Sequence, residues 1–296
     1  MPELPEVETV KRGLAPVMEG RVFEHVRLNR ADIRFPFPDN FKTRLQGVTL
    51  ERLSRRAKFL VAELSSGETL LMHLGMSGRF VIEEGLDLPG RATRSSPLVP
   101  ADSGTHNPKH DHVVFTMSAE GSGSNAPLII YNDPRRFGFM ELLEAGDFGR
   151  IADLGPEPLS NNFNGPALHA KLANKKSAIK STLLDQHIVA GLGNIYVCEA
   201  LFGAHISPLR LSNTLSENEC ELLSVEIKTT LKLAIQAGGS TLKDFAAVDG
   251  ALGYFQHRFK VYDHEGDICP NKTCTGTISR IKQSGRSSFF CKNCQK

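Results

Sequence analysis

Four of the six cysteines in this 296-residue chain fall within its last 28 residues, and no other feature limits the fold as tightly. Cys269-Pro-Asn-Lys-Thr-Cys274 is followed by sixteen residues and then by Cys291-Lys-Asn-Cys294. A segment this short cannot hold itself together with a hydrophobic core alone. Two close thiolate pairs suit a tetrahedral Zn²⁺. Between them TGTISRIKQSGRSSFF alternates like a two-stranded hairpin. The spacing predicts a zinc ribbon, with each pair on a turn and the metal in place of a core. An iron–sulfur cluster is the other reading that four thiolates leave open. Four protein ligands close the shell, so the single expected Zn²⁺ is structural and offers no open position to a water nucleophile. Cys198 and Cys220 lie in apolar, helix-like surroundings and read as buried thiols.

Charge gathers on the same module. The net charge is +2, but from Arg258 to Lys296 eight Lys/Arg face only Asp263, Glu265 and Asp267. That segment carries about +5 and leaves about −3 on the rest. Arg280, Lys282 and Arg286 along the hairpin predict a finger for phosphates; a solvated basic tail is the plainer alternative. Hydrophobic residues at 40% and charged residues at 23% fit a globular chain. No run approaches the ~20 apolar residues that span a bilayer. MPELPEVETV has no basic start followed by an apolar stretch, so it reads as neither a signal nor a transit peptide. The expected address is cytoplasmic, where clustered cysteines bind metal rather than pair as disulfides.

Periodicity divides the chain into three. Leu4, Val7, Val10 and Leu14 make one apolar stripe of a first helix, with Pro5 in its first turn and Gly13 or Gly20 at its end. From Val22 to about Leu143 the chain reads as strands, interrupted by Gly/Ser/Pro-rich inserts at Glu84–Lys109 and Ala119–Asn125. From about Phe148 the period turns helical, through SAIKSTLLDQHIVAGLGNIYVCEALF and SENECELLSVEIKTTLKLAIQAG. The Gly-punctuated stretch after Gly239 reads as a loop. The expected organisation is an α+β chain with a β-rich part over 1–147, a helical part over 148–257 and the ribbon over 258–296.

MPELPEVETV, RRAKFL, HLGMSGRF, HDHV, YNDPRRFGF, LGPEPLS, GLGNIY, GGSTLKDF and the terminal ribbon occur in this order over essentially the whole chain. Together they resemble the bacterial formamidopyrimidine-DNA glycosylase family. The resemblance implies an N-terminal β-sandwich with an N-terminal helix, a helix–two-turn–helix domain and a zinc ribbon. It implies a monomeric base-excision-repair enzyme on double-stranded DNA, cytoplasmic and nucleoid-associated, which excises oxidised purines and cleaves the strand. One departure stands out: the family's first zinc pair is C-x₂-C, whereas four residues separate Cys269 from Cys274.

The resemblance also assigns roles. Pro2 is the nucleophile. Freed of Met1 it carries an α-amine with a pKa near ~7.7–8, whereas a lysine near ~10.4 is almost fully protonated at neutral pH. Read locally, Pro2 merely starts a helix. Glu3 is the neighbouring general acid/base, while Glu6 and Glu8 receive no catalytic role. Lys58 contacts phosphate and aids proton transfer around the sugar; a strand-edge lysine in water is the alternative. Arg286 binds phosphates flanking the lesion and serves the second elimination. Met76, Arg135 and Phe137 fill the space left by an everted nucleotide, as filler, donor fork and stacking ring. His110, Lys176 and Asn194 match phosphate contacts, with Lys180 a weaker match. The 241–257 segment corresponds to the loop over the everted base. The sister enzyme, endonuclease VIII, starts PEGPE, which this chain does not.

Overall fold

The apolar stripe of the N-terminus becomes α1 (Leu4–Met18), and Leu4, Val7, Val10, Leu14 and Met18 are all buried. The helix runs through Gly13 and ends before Gly20, whose φ of +74° turns the chain away. Of the two glycines expected at its end, only the second lies there. The computed structural model describes residues 2–84, 106–119, 126–240 and 253–296. Most of both predicted inserts, and of the stretch after Gly239, lies outside these residues. The end of the first insert is ordered: Pro108–His110 forms a 3₁₀ turn capped by the Asn107 side chain. The chain divides into two units, residues 1–149 with 238–253, and residues 150–237 with 254–296.

The first unit holds two antiparallel four-stranded sheets. One has the order β1 (Phe23–Leu28), β6 (Asp111–Met117), β7 (Pro127–Asn132), β5 (Arg79–Glu84). The other has the order β2 (Leu50–Arg56), β3 (Phe59–Leu64), β4 (Thr69–His73), β8 (Phe139–Leu143). A short helix α2 (Phe41–Leu45) lies between β1 and β2 in sequence. Phe23, Val26, Phe80, Val113, Phe115, Ile129 and Tyr131 of the first sheet share one core with Leu53, Leu60, Leu70, Met72 and Met140 of the second. Val7, Val10, Leu14 and Met18 of α1 join it. That is the expected sandwich with its helix. β7 is buried along its whole length, because Val81, Val114, Leu128 and Ile130 form a second apolar cluster. Strands buried on both faces lose the polar half of their alternation, which is why Leu128, Ile129 and Ile130 follow one another without a polar break.

The second unit is helical with a two-stranded ribbon. α3 (Gly165–Leu172) and α5 (Asn194–Gly203) pack on the long α6 (Glu217–Gln236). A capping box starts α6: Ser216 Oγ accepts the Glu219 N–H and the Glu219 carboxylate accepts the Ser216 N–H. The long helical period predicted over 177–202 is broken into α4 (Ile179–Leu183) and α5. Gln186 staples the intervening turns by donating to the carbonyls of Leu184 and Leu192 and accepting the Gly191 N–H. β9 (Ile278–Gln283) and β10 (Arg286–Cys291) form the ribbon hairpin. No helix among the described residues is long and apolar enough to cross a membrane.

Glu8 ties α1 to the sheet beneath it. Its carboxylate meets Arg55 of β2 at 3.1 Å, and Arg12 and Lys11 on its own helix. Burial works to raise its carboxyl, yet the hydrogen bonds from Arg12 and Lys11 and the charge of Arg55 hold it below the ordinary value. A carboxyl depressed by folding adds stability above its unfolded pKa and loses it as pH falls through the folded one. Glu8→Gln is therefore expected to cost about 1–2 kcal/mol near neutral pH. In thermal melts the gap from the parent should close as pH drops below 4.5, the ordinary value for a glutamate.

Candidate active site and zinc ribbon

The head of α1 is buried. Pro2 is buried, and Glu3 and Glu6 are 4% and 3% exposed. Glu6 is the local organiser. One carboxylate oxygen accepts the Glu3 N–H and the other accepts the Ser240 N–H, each at 2.8 Å. Gly239, at φ +81°, passes so close that a Cβ there would sit 3.1 Å from the Glu6 side chain. Glu6 therefore fastens Glu3 to Ser240. The sequence places Glu6 near the Pro2-Glu3 pair but says nothing of its second partner, Ser240, which lies 234 residues away.

Lys58 sits on the two-residue turn between β2 and β3, where Arg56 pairs with Phe59. Ala57 takes a left-handed φ of +54°, as tight hairpins demand at their first turn residue. Lys58 is 7% exposed, which rules out the strand-edge lysine in water. Arg55 links this turn to α1: it donates to the Ala57 carbonyl at 2.9 Å and pairs with Glu8.

Met76, Arg135 and Phe137 come together although about 60 residues separate the first from the others in sequence. They lie on the turns following β4 and β7. They line a depression of about 640 Å³ with Asp32, Arg34 and His73. The Arg135 guanidinium lies 5.0 Å from the Phe137 ring centre, and Phe137 is 42% exposed. A ring exposed to this degree is not the core residue that its type alone suggests. His73 escapes notice in the sequence although it stands in HLGMSGRF. Its Nδ1 accepts the Gly75 N–H at 3.0 Å and its ring stacks on Phe139. That bond leaves Nε2 to carry the proton in the neutral ring. His110 is half-buried, and its carbonyl accepts the Asp133 N–H.

In the second unit Lys176 and Arg286 are exposed. Arg286 follows the Ser284–Gly285 turn, in which both residues have positive φ, and opens β10. The next carbonyl, of Ser287, accepts from Asn194 Nδ2 at 3.1 Å and from Lys180 Nζ at 2.8 Å. Arg286 and Asn194 are thus brought together at the start of α5. Lys180 is not a phosphate contact. It is 1% exposed and its ammonium is spent on the Ser287 carbonyl and Ser288 Oγ. Glu199, also unread in the sequence, is 4% exposed and accepts the N–H groups of Lys260, Val261 and Tyr262 at 2.8–3.0 Å. Burial raises its carboxyl, against the pull of those three bonds.

The four ribbon cysteines converge. All four Sγ atoms lie within 4.8 Å of one another, with Cys269–Cys294 and Cys274–Cys291 both at 3.6 Å. Zn–S bonds of ~2.3 Å in a tetrahedron put sulfurs roughly 3.8 Å apart, so the cage fits the metal. The longer first knuckle is absorbed by one turn. Cys274 N–H donates to the Asn271 carbonyl, and Thr273 bonds the Asn271 side chain. Cys198, Phe202, Val261, Ile278 and Phe289 pack around the site. Metal analysis should find one zinc per chain, and Cys274→Ser should release it while α3 and α6 keep their helical signal. Full retention of zinc by that variant would exclude Cys274 as a ligand.

Comparison with known proteins matches this architecture. The family model of the formamidopyrimidine-DNA glycosylase N-terminal domain matches residues 1–140, and that of the H2TH domain of the same enzymes matches 154–246. The zinc finger found in FPG and IleRS matches 266–296. Formamidopyrimidine-DNA glycosylases of Beijerinckia indica and Caulobacter vibrioides are each 51% identical to the chain, with both partners covered in full. MutM (Fpg) from Thermus thermophilus superposes with a TM-score of 0.80 at 34% identity, over 99% of this chain and 98% of its own. Lactococcus lactis Fpg in complex with DNA containing an abasic site superposes with a TM-score of 0.82 at 32% identity, over the full length of both. Three family models in order, and 51% identity along the whole length, show that the chain belongs to the formamidopyrimidine-DNA glycosylase (Fpg/MutM) family and is a zinc-finger DNA glycosylase acting on damaged DNA.

Proposed function

We propose that the chain is a bifunctional glycosylase and AP lyase that removes oxidised purines, 8-oxoguanine and formamidopyrimidines, from duplex DNA. The observation that carries this reading is the buried Pro2-Glu3 pair at the head of α1, held by Glu6. With Met1 removed, the Pro2 nitrogen is a secondary amine; with Met1 attached it is an amide and cannot attack. The amine attacks C1′ of the everted nucleotide. The bond from C1′ to the base breaks, the base leaves with the electron pair and gains a proton, and the nitrogen loses its own to give an aminal. The C1′–O4′ bond of the sugar then breaks, O4′ takes up a proton, and the nitrogen lone pair closes the C1′=N iminium. The iminium makes the C2′ proton acidic, so its removal expels the 3′-phosphate. A second elimination expels the 5′-phosphate.

Glu3 serves as general acid and base beside the nucleophile. Lys58, desolvated on its strained turn, serves phosphate contact and proton transfer around the sugar. Arg286 grips the phosphates flanking the lesion and assists the second elimination. His110, Lys176 and Asn194 bind the DNA backbone; Asn194 does so at a helix N-terminus, where N–H groups favour anions. Met76, Arg135 and Phe137 enter the duplex when the lesion leaves it. The parts 1–147, 148–257 and 258–296 divide this work as catalysis, DNA grip with lesion cover, and phosphate finger. The enzyme works as a cytoplasmic monomer at the nucleoid.

Protein verified to begin at Pro2 should form a covalent adduct with duplex DNA carrying 8-oxoguanine opposite cytosine when borohydride is present. Protein that retains Met1 should form none. A thymine glycol duplex should trap less. Absence of adduct from correctly processed protein would sink the Pro2 mechanism, and preference for thymine glycol would sink the purine assignment.

A further inference from the structure

Asp133 stands in the DPRRFG motif yet has no assigned part in binding DNA, and it is fully buried. Every polar group it owns is used. Its N–H donates to the His110 carbonyl, and its carbonyl accepts the Arg136 N–H at 3.2 Å and faces His112 Nε2 at 2.9 Å. One carboxylate oxygen accepts Ser77 Oγ at 2.6 Å and the Arg135 N–H at 3.3 Å. The other accepts the Gly138 N–H at 2.9 Å and the Tyr131 hydroxyl at 3.3 Å. Ser77 Oγ in turn accepts the Arg135 N–H at 3.2 Å. Burial pushes the Tyr131 phenol well above its usual range, so it stays a donor.

These bonds join two turns. Ser77 belongs to the turn that bears Met76, and Arg135 and Gly138 bracket Phe137. The turns touch: a Cβ on Gly75 would collide with the Phe137 carbonyl, and one on Gly138 would collide with the Tyr131 hydroxyl. Arg136 between them takes a left-handed φ of +56°, a conformation that needs support from its surroundings.

We propose that Asp133 is the positioning residue of the wedge: its buried carboxylate ties the Met76 turn to the Arg135–Phe137 turn, so that all three wedge side chains are preformed as one unit before DNA arrives. This rests on the wedge role proposed for Met76, Arg135 and Phe137. The physical gain is preorganisation. Filling the vacated stack must compete with return of the everted nucleotide, and loose side chains would lose freedom at that moment. An amide is a poorer clamp than the carboxylate. An asparagine NH₂ turned toward Gly138 would leave that N–H without its acceptor, and one turned toward Ser77 would force the hydroxyl to reverse its bond and leave the Arg135 N–H with Ser77 Oγ alone.

The test places 2-aminopurine in the undamaged strand beside the base opposite 8-oxoguanine and follows its fluorescence on mixing with full-length, metal-loaded enzyme. Single-turnover excision and cleavage of a single-stranded oligonucleotide with an abasic site are measured alongside, since a single strand has no stack to fill. Asp133→Asn and Ser77→Ala should reduce the fluorescence amplitude and slow excision by about tenfold to a hundredfold, with single-strand cleavage unchanged. Phe137→Ala is the reference for the wedge itself. If Phe137→Ala leaves the fluorescence intact, the wedge reading falls and the proposal with it. If Phe137→Ala abolishes the signal while Ser77→Ala and Asp133→Asn keep it, the positioning role alone is overturned. Equal loss of duplex and single-strand activity would mark a general structural role and also overturn it. Should Asp133→Asn fail to fold, Ser77→Ala decides, because it deletes one hydroxyl and leaves the Gly138 and Tyr131 bonds in place.

Discussion

A carboxylate taken out of water must be surrounded by donors, and the irregular parts of this fold are built on that requirement. Glu6, Asp133 and Glu199 are each nearly inaccessible, and each accepts backbone N–H groups at a place where separate segments meet. Glu6 joins the head of α1 to Ser240. Asp133 joins two turns of the sandwich. Glu199 joins α5 to the stretch that leads into the ribbon. Helices and sheets satisfy their own backbone; turns carrying functional side chains do not, and here acids supply the missing acceptors. Each such acid strongly resists replacement by an apolar residue, because its partners would be left buried and unmatched.

What the sequence discloses follows from how local the physics is. The α1 stripe, the strands between Val22 and Leu143 and the helical period of α6 are readable because their determinants lie within a few residues. The cysteine cage is readable because two short pairs carry it. Glu6, Glu199 and Lys180 are unreadable for the opposite reason: their partners lie 234, about 60 and over 100 residues away. Lys180 shows the hazard best. Charge reads as exposure, since lysines are seldom fully buried without a partner. Its partners are a carbonyl and a hydroxyl of β10, which nothing near position 180 announces. The roles of Pro2 and Phe137 come from resemblance across the whole chain; locally one is a helix start and the other a core ring.

The ribbon's electrostatics are also less simple than its composition. A zinc with four thiolates carries two negative charges, which offset part of the surplus of about +5 in the last 39 residues. Attraction for phosphate therefore depends on where the cations stand. Arg280, Lys282 and Arg286 line one depression on the hairpin with Glu265 among them. Lys180 and Asn194 hold the Ser287 carbonyl, so the backbone beside Arg286 is fixed before any phosphate approaches.

The knuckle between Cys269 and Cys274 bears on how such sites diversify. A metal ion measures the distances between sulfurs and is indifferent to the number of residues that connect them. Here the Asn271 turn folds the added length aside and returns Cys274 to within 3.6 Å of Cys291. Ligand spacing in a ribbon is then a loop length, free to drift by insertion wherever a turn can close, while the cage stays constant. A search keyed to one fixed spacing would pass over this chain, although its metal would experience no difference.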